Sequence, residues 1–274
     1  MPTIMHKGEL IFRRINGYES PMDVFQRMAW LMFCYLVFSF YLLLIPIMED
    51  LALQICSAIV HTILLAFMIF YWYVASATDP VDVTIFLKLQ ATPRHISSAE
   101  LLYCQYCDCK VHKKSKHCRA CNKCVGEFDH HCKWLNNCVG GANYKAFFRL
   151  IISAMLLTAV QAVFGVRLLL LVWMDEAWLG ASPGAWWVAN ISRGAVIALL
   201  FTIAFFSVVA STLLLHLVGF HMWLQREGIS TYDYILGKRA EKHVRKTDNK
   251  DEGTSSVSNA GSGGGGAGAG PGGG

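Results

Sequence analysis

Asp129-His130-His131-Cys132 sits inside a stretch, Cys104 to Cys138, that holds eight of the chain's ten cysteines. Around it the spacing reads Cys104-x2-Cys107, then His117-Cys118-x2-Cys121-x2-Cys124, then His131 and Cys138. A C-x2-C pair brings two thiolates to one tetrahedral Zn2+ from a tight knuckle. Overlapping pairs with interleaved histidines therefore predict at least two zinc ions. Spacing alone leaves the division of ligands open, because Cys109, Cys132 and His112 compete for places. This loop has few large apolar side chains, so it lacks a core of its own. Structural zinc, worth roughly 10–16 kcal/mol per site, supplies the missing stability.

Outward from the cysteines the chain turns apolar. It has 274 residues, 54 % hydrophobic and 16 % charged, with mean hydropathy +0.40. That balance excludes an ordinary soluble domain and fits a polytopic membrane protein. Crossing a bilayer takes about 20 residues. Spans are expected at 28–47 and 51–75 before the cysteines, and at 150–173 and 194–217 after them. The first two form a hairpin, since only Met48-Glu49-Asp50 separates them. Arg167 argues against the third span at roughly 2.5–3.5 kcal/mol, but fourteen Leu, Ile, Val and Phe residues between Leu150 and Val172 offset it. Near a span end, the Arg167 side chain is expected to snorkel to the headgroups. Cys34 and Cys56 lie within spans and read as small buried hydrophobes.

Charge gives the orientation. Residues 88 to 149 carry eleven Lys/Arg against four Asp/Glu. Lys7, Arg13, Arg14 and Arg27 precede the first span, and Arg226, Lys238 and Arg239 follow the fourth. The positive-inside rule then places both termini and the cysteine-rich loop in the cytosol. The expected organisation is a cytosolic segment 1–27, the hairpin 28–75, a cysteine-rich domain 88–148, the second pair of spans within 150–217, and a cytosolic segment 218–245. Residues 246–274 end in near-continuous glycine and are expected to be disordered. An endoplasmic reticulum or Golgi membrane is the expected location.

Residues 104 to 148 resemble the cysteine-rich domain of the DHHC protein S-acyltransferases, the palmitoyltransferases. The resemblance rests on the cysteine and histidine spacing above, on Trp134-Leu135-Asn136-Asn137-Cys138-Val139-Gly140, and on Asn143-Tyr144 before Phe147-Phe148. It implies an all-α polytopic fold with two spans on each side of a cytosolic zinc domain. It implies one zinc on Cys104, Cys107, His117 and Cys124, and a second on Cys118, Cys121, His131 and Cys138. Cys132 is then left free as the nucleophile, with His130 as its base and Asp129 orienting the imidazole. Cys109 has no role in the family pattern.

By the same resemblance, Cys132 takes the acyl group of a long-chain fatty acyl-CoA, with palmitoyl-CoA expected, and passes it to a cysteine of a membrane-associated protein. Lys110, Lys113, Lys114, Lys116, Arg119, Lys123 and Lys133 are candidates to attract CoA phosphates. Two outlying motifs depart from the family. Asp79-Pro80-Val81 has Val in place of Gly, and Ser230-Thr231-Tyr232-Asp233 stands for Thr-Thr-x-Glu, leaving Thr231 as a supporting residue. A rival reading is a zinc-stabilised membrane adaptor with little or no acyl transfer. The basic excess also suggests a nucleic-acid module, but four spans argue against that partner.

Overall fold

The computed structural model describes residues 3–6, 9–89, 101–181 and 188–258. After an N-terminal hairpin of β1 (Thr3–His6) and β2 (Glu9–Phe12), the chain enters α1 (Val24–Ser39), a π-helical turn Phe40–Leu44, and α2 (Ile45–Ile47). The wide turn falls just ahead of Pro46, which lacks an N–H and crowds the carbonyl one turn back. Asp23 caps α1 by accepting from Phe25 N at 2.9 Å, and Asp50 caps α3 (Leu51–Ala77) by accepting from Leu53 N at 2.9 Å. After a short α4 (Val83–Leu89), three hairpins pair β3 (Leu101–Cys104) with β4 (Cys109–His112), β5 (Lys116–Cys118) with β6 (Lys123–Val125), and β7 (His130–Cys132) with β8 (Asn137–Val139). Then come α5 (Tyr144–Met174), a short α6 (Trp178–Ala181), a 3-10 turn Val188–Asn190, α7 (Arg193–Glu227) and α8 (Thr231–Ser258).

Among the described residues, four helical segments are long and apolar enough to cross a membrane: Val24–Ile47, Leu51–Ala77, Tyr144–Met174 and Arg193–Glu227. Each expected span falls inside one of them. α5 packs along both α3 and α7, and one apolar cluster joins Phe40, Leu44 and Ile47 to Leu168, Val172, Leu200 and Ile203. α7 overruns its expected end at 217 because Val218, His221 and Leu224 remain buried at helical spacing. Arg167 does not reach outward alone. It pairs with Glu49 of the hairpin loop, donating from Nη1 to Oε2 at 3.0 Å.

One expectation needs correction. The all-α assignment describes the membrane part alone, since the cysteine-rich region is built from β-hairpins. Helix α8 runs on to Ser258, past Ala240, Glu241 and Lys242, which favour helix. Residues 259–274 lie outside the described residues. The chain divides into two compact units, 1–228 and 229–274.

The three hairpins repeat one design. Cys104, Cys118 and Cys132 stand fourteen residues apart, and each pairs across its turn with the residue five positions on: Cys104 with Cys109, Cys118 with Lys123, Cys132 with Asn137. The residue four after each cysteine is left-handed: Asp108 (φ 47°), Asn122 (φ 49°) and Asn136 (φ 52°). Asp and Asn tolerate that conformation better than other side chains with a Cβ, so the turn chemistry is encoded three times.

The third hairpin is fastened to the first half of the chain. A helix leaves its last carbonyls without intrahelical partners. Those of α3 are capped by asparagines that follow Cys132. Asn137 Nδ2 donates to Ser76 O (3.2 Å) and Thr78 O (2.9 Å), and Asn143 Nδ2 donates to Ala75 O (3.0 Å). Asn136 Nδ2 reaches the carbonyls of Gly17, Glu19 and Pro21. Gly17 also comes so close to the Leu135 carbonyl that an added Cβ would lie 2.0 Å from its oxygen. All three asparagines are buried.

Candidate functional site

The strand pairing sorts the cysteines and histidines. His117 sits directly across from Cys124, and His131 across from Cys138. Adjacent side chains on a strand point to opposite faces, so His117 and Cys118 part company. His117 joins Cys104, Cys107 and Cys124, whereas Cys118 joins Cys121, His131 and Cys138; within each group the ligand atoms lie within 4.8 Å of one another. Nδ1 of His117 is 3.9, 3.3 and 3.9 Å from the sulfurs of Cys104, Cys107 and Cys124. Nδ1 of His131 is 3.7, 3.4 and 3.6 Å from those of Cys118, Cys121 and Cys138. With Zn–S about 2.3 Å and Zn–N about 2.0 Å, tetrahedral edges come out near ~3.6 Å. Both groups are suited to hold such an ion, and all ten cysteines are free of disulfides.

Cys132 belongs to neither group. It occupies the first-cysteine position of the third knuckle, but the second position, filled by Cys107 and Cys121 in the others, is Leu135. The same alternation that aims His131 into its group turns His130 and Cys132 to the other face. There Cys132 is buried with Ala75 of α3, Leu135, Val139, Phe147 and Ile151 of α5, and Val218 of α7. The fourteen-residue period that separates this thiol from the two Cys3His groups was open to sequence reading and was missed.

His130 Nδ1 lies 2.6 Å from Oδ2 of the buried Asp129, and the Cys132 thiol, two residues on along β7, also favours its charged form. Burial disfavours the imidazolium, but the hydrogen bonds to Asp129 and Cys132 more than reverse this and lift its pKa to about 9. The ring of Phe147 stands edge-on at 5.2 Å from that of His130. Such a group can hold a proton next to a thiol and keep the imidazole in one orientation.

The basic residues divide. Lys110, Lys113, Lys114, Arg119 and Lys133 are exposed, and Lys116 is half-buried with Nζ 3.4 Å from Lys113 O. Lys133 lies over the Phe25 ring at 5.3 Å from its centroid, and Trp134 meets that ring edge-on. Lys123 does not fit a CoA role. It is fully buried, with Nζ 2.6 Å from Asp79 and 3.0 Å from Ile15 O, while Arg13 takes the other Asp79 oxygen at 2.6 Å. A buried ammonium needs a partner, and Asp79 is that partner.

The departures from the family pattern also find places. Val81 bridges to Val125, and it is absent from the left-handed positions, so no glycine is required there. Asp82 accepts from Thr84 N, His112 N and Nδ1, and Ser115. Burial opposes its charge, yet these bonds hold its carboxyl below the usual range. His112 is thus engaged outside both ligand groups. Ser230 and Asp233 form a reciprocal capping box at the start of α8: Asp233 N donates to Ser230 Oγ at 3.1 Å and Ser230 N to Asp233 Oδ2 at 3.4 Å. Thr231 is the first residue of that helix.

Four apolar helices around a double Cys3His region define a multi-pass membrane protein with an inserted, metal-binding-capable domain. The family model of the DHHC palmitoyltransferases matches residues 97–238, and the chain belongs to that family. It is 33 % identical over 262 residues to "Palmitoyltransferase ZDHHC11" of Danio rerio, across 86 % of this chain and 60 % of that protein. It is 28 % identical to "Palmitoyltransferase ZDHHC11" of Mus musculus, across 87 % of this chain and 75 % of that one. With "Probable protein S-acyltransferase 22" of Arabidopsis thaliana the identity is 41 % over 147 residues, covering 54 % of this chain and 25 % of the relative.

Proposed function

We propose that this chain is a protein S-palmitoyltransferase that works through an acyl-enzyme at Cys132. The observation that carries the reading is a thiol left out of two Cys3His groups, two residues along one strand from an Asp-held histidine and walled by helices of membrane length. His130 takes the proton of Cys132. The thiolate attacks the thioester carbonyl of a long-chain acyl-CoA, the CoA sulfur leaves, and His130 returns the proton to it. A cysteine thiol of a membrane-associated protein then gives its proton to His130 and attacks the Cys132 thioester, and the Cys132 sulfur leaves and takes that proton back, which frees the enzyme. Asp129 keeps the imidazole in register and offsets its positive charge.

Cys104, Cys107, His117 and Cys124 would hold one zinc, and Cys118, Cys121, His131 and Cys138 a second. Each ion is structural, fixing the hairpin from which Cys132 and His130 project. Lys110, Lys113, Lys116, Arg119 and Lys133 supply the positive surface for CoA phosphates, and Thr231 supports from the start of α8. Both termini and the cysteine-rich domain face the cytosol, in endoplasmic reticulum or Golgi membranes. The acyl chain enters the bilayer among the spans, each buried methylene contributing about 0.8 kcal/mol.

The test is labelling with an alkyne fatty acid, comparing the parent with Cys132→Ser and treating both with hydroxylamine. Hydroxylamine-labile label on the parent and none on the variant is expected. Equal label on both removes Cys132 from the mechanism.

A further inference from the structure

A second histidine lies behind the first. His221, near the end of α7 and far along the chain from the cysteine-rich motifs, is 2 % exposed, and its ring centroid is 6.0 Å from that of His130. Its Nδ1 is 3.1 Å from the hydroxyl of Tyr144, the first residue of α5. One turn further along α5, Phe147 touches both imidazoles, edge-on at 5.1 Å to His221 and 5.2 Å to His130. Three residues before His221, Val218 packs in the apolar cluster that covers Cys132. One face of α7 thus presents Val218 beside the thiol's surroundings and His221 beside its base.

A buried imidazole costs free energy unless hydrogen-bonded, and an aliphatic side chain would pack here without that cost. The Tyr144 bond offsets it and in doing so ties the end of α7 to the beginning of α5. We propose that His221, held by Tyr144, is a positioning residue for acyl transfer: it sets Phe147 against the imidazole of His130 and so holds that ring between Asp129 and the Cys132 thiol. His221 touches neither substrate nor the reacting atoms and acts through Phe147 and His130. The inference rests on the acyl-enzyme reading above.

The experiment is single-turnover acylation of the purified full-length protein by palmitoyl-CoA, with zinc counted in each sample. His221→Leu is expected to lower the limiting rate about tenfold, a modest share of the 10²–10⁴ typical of a general base, with the half-saturating palmitoyl-CoA concentration and the zinc content unchanged. His221→Asn, whose amide sits where Nδ1 does, is expected to recover at least half of the rate. Tyr144→Phe should match the Leu variant, and Tyr144→Phe with His221→Leu should be no slower than either alone. Parental rates in the Leu variant overturn the inference, as does loss of zinc in parallel with rate, which marks a purely structural role. Failure of Asn to recover the rate also overturns it. A parent that takes no label at Cys132 overturns the acyl-enzyme reading together with this one, whereas a labelled parent and an unaffected Leu variant overturn this one alone.

Discussion

The second and third knuckles of the cysteine-rich region share a turn, a register and a left-handed asparagine, yet they present their first cysteines to different surroundings. Cys118 lies with Cys121, His131 and Cys138 in a compact donor group. Cys132, fourteen residues later, meets Leu135 where Cys121 stands in the second knuckle, and packs against α3, α5 and α7. Each donor group takes two cysteines from one knuckle and a histidine and a cysteine from the next. The third knuckle has no successor of that kind, since Lys145 occupies the place where the next histidine would fall. One Cys-to-Leu difference and the end of a repeat are enough to take a cysteine position out of the Cys3His groups.

Breaking the second knuckle should have the largest effect. Cys121→Ser removes a donor from a site worth roughly 10–16 kcal/mol, and metal analysis of the purified protein should show one zinc lost, with aggregation on mild heating. Converting the third knuckle into a copy of the second comes next. Leu135→Cys restores C-x2-C beside Cys132 and is expected to lower acyl-enzyme formation at least tenfold, a loss of about 1.4 kcal/mol or more in transition-state stabilisation. Alkylation of Cys132 by iodoacetamide should slow with it.

Loosening the anchorage is a smaller perturbation. Asn137→Ala strips the donors from the Ser76 and Thr78 carbonyls and should cost about 1–3 kcal/mol, read as a lower thermal midpoint. At the bottom of the scale, Lys133→Ala removes an exposed cation–π contact of about 0.5–1 kcal/mol. It should leave the midpoint within a degree or two while weakening acyl-CoA half-saturation at low salt.

The apolar helices were legible because length and apolarity mark them, and the cysteine and histidine spacing marked a metal-binding-capable region, in which the structure gathers two Cys3His groups. What stayed hidden depended on pairing across the chain. Lys123 reads as one more loop cation until Asp79, Arg13 and Ile15 close around it. Asn137 and Asn143 read as motif letters until the end of α3 supplies the carbonyls they satisfy. The β-hairpins were missed because strands of three or four residues are too short to show an alternating apolar pattern. The fourteen-residue repeat, by contrast, was in plain view, and aligning Cys132 with Cys118 separates it from the Cys3His groups without any outside likeness. His221 carries no local signal: it is one polar residue in an apolar helix, and its meaning comes from Tyr144 and Phe147.

The most direct test counts zinc per chain in the parent and in Cys132→Ser, alongside the acyl label on each. Two zinc ions in both proteins, with label on the parent alone, is the predicted result. A zinc lost together with the Cys132 sulfur would show that this cysteine is a ligand and would remove the free thiol on which the proposed chemistry stands.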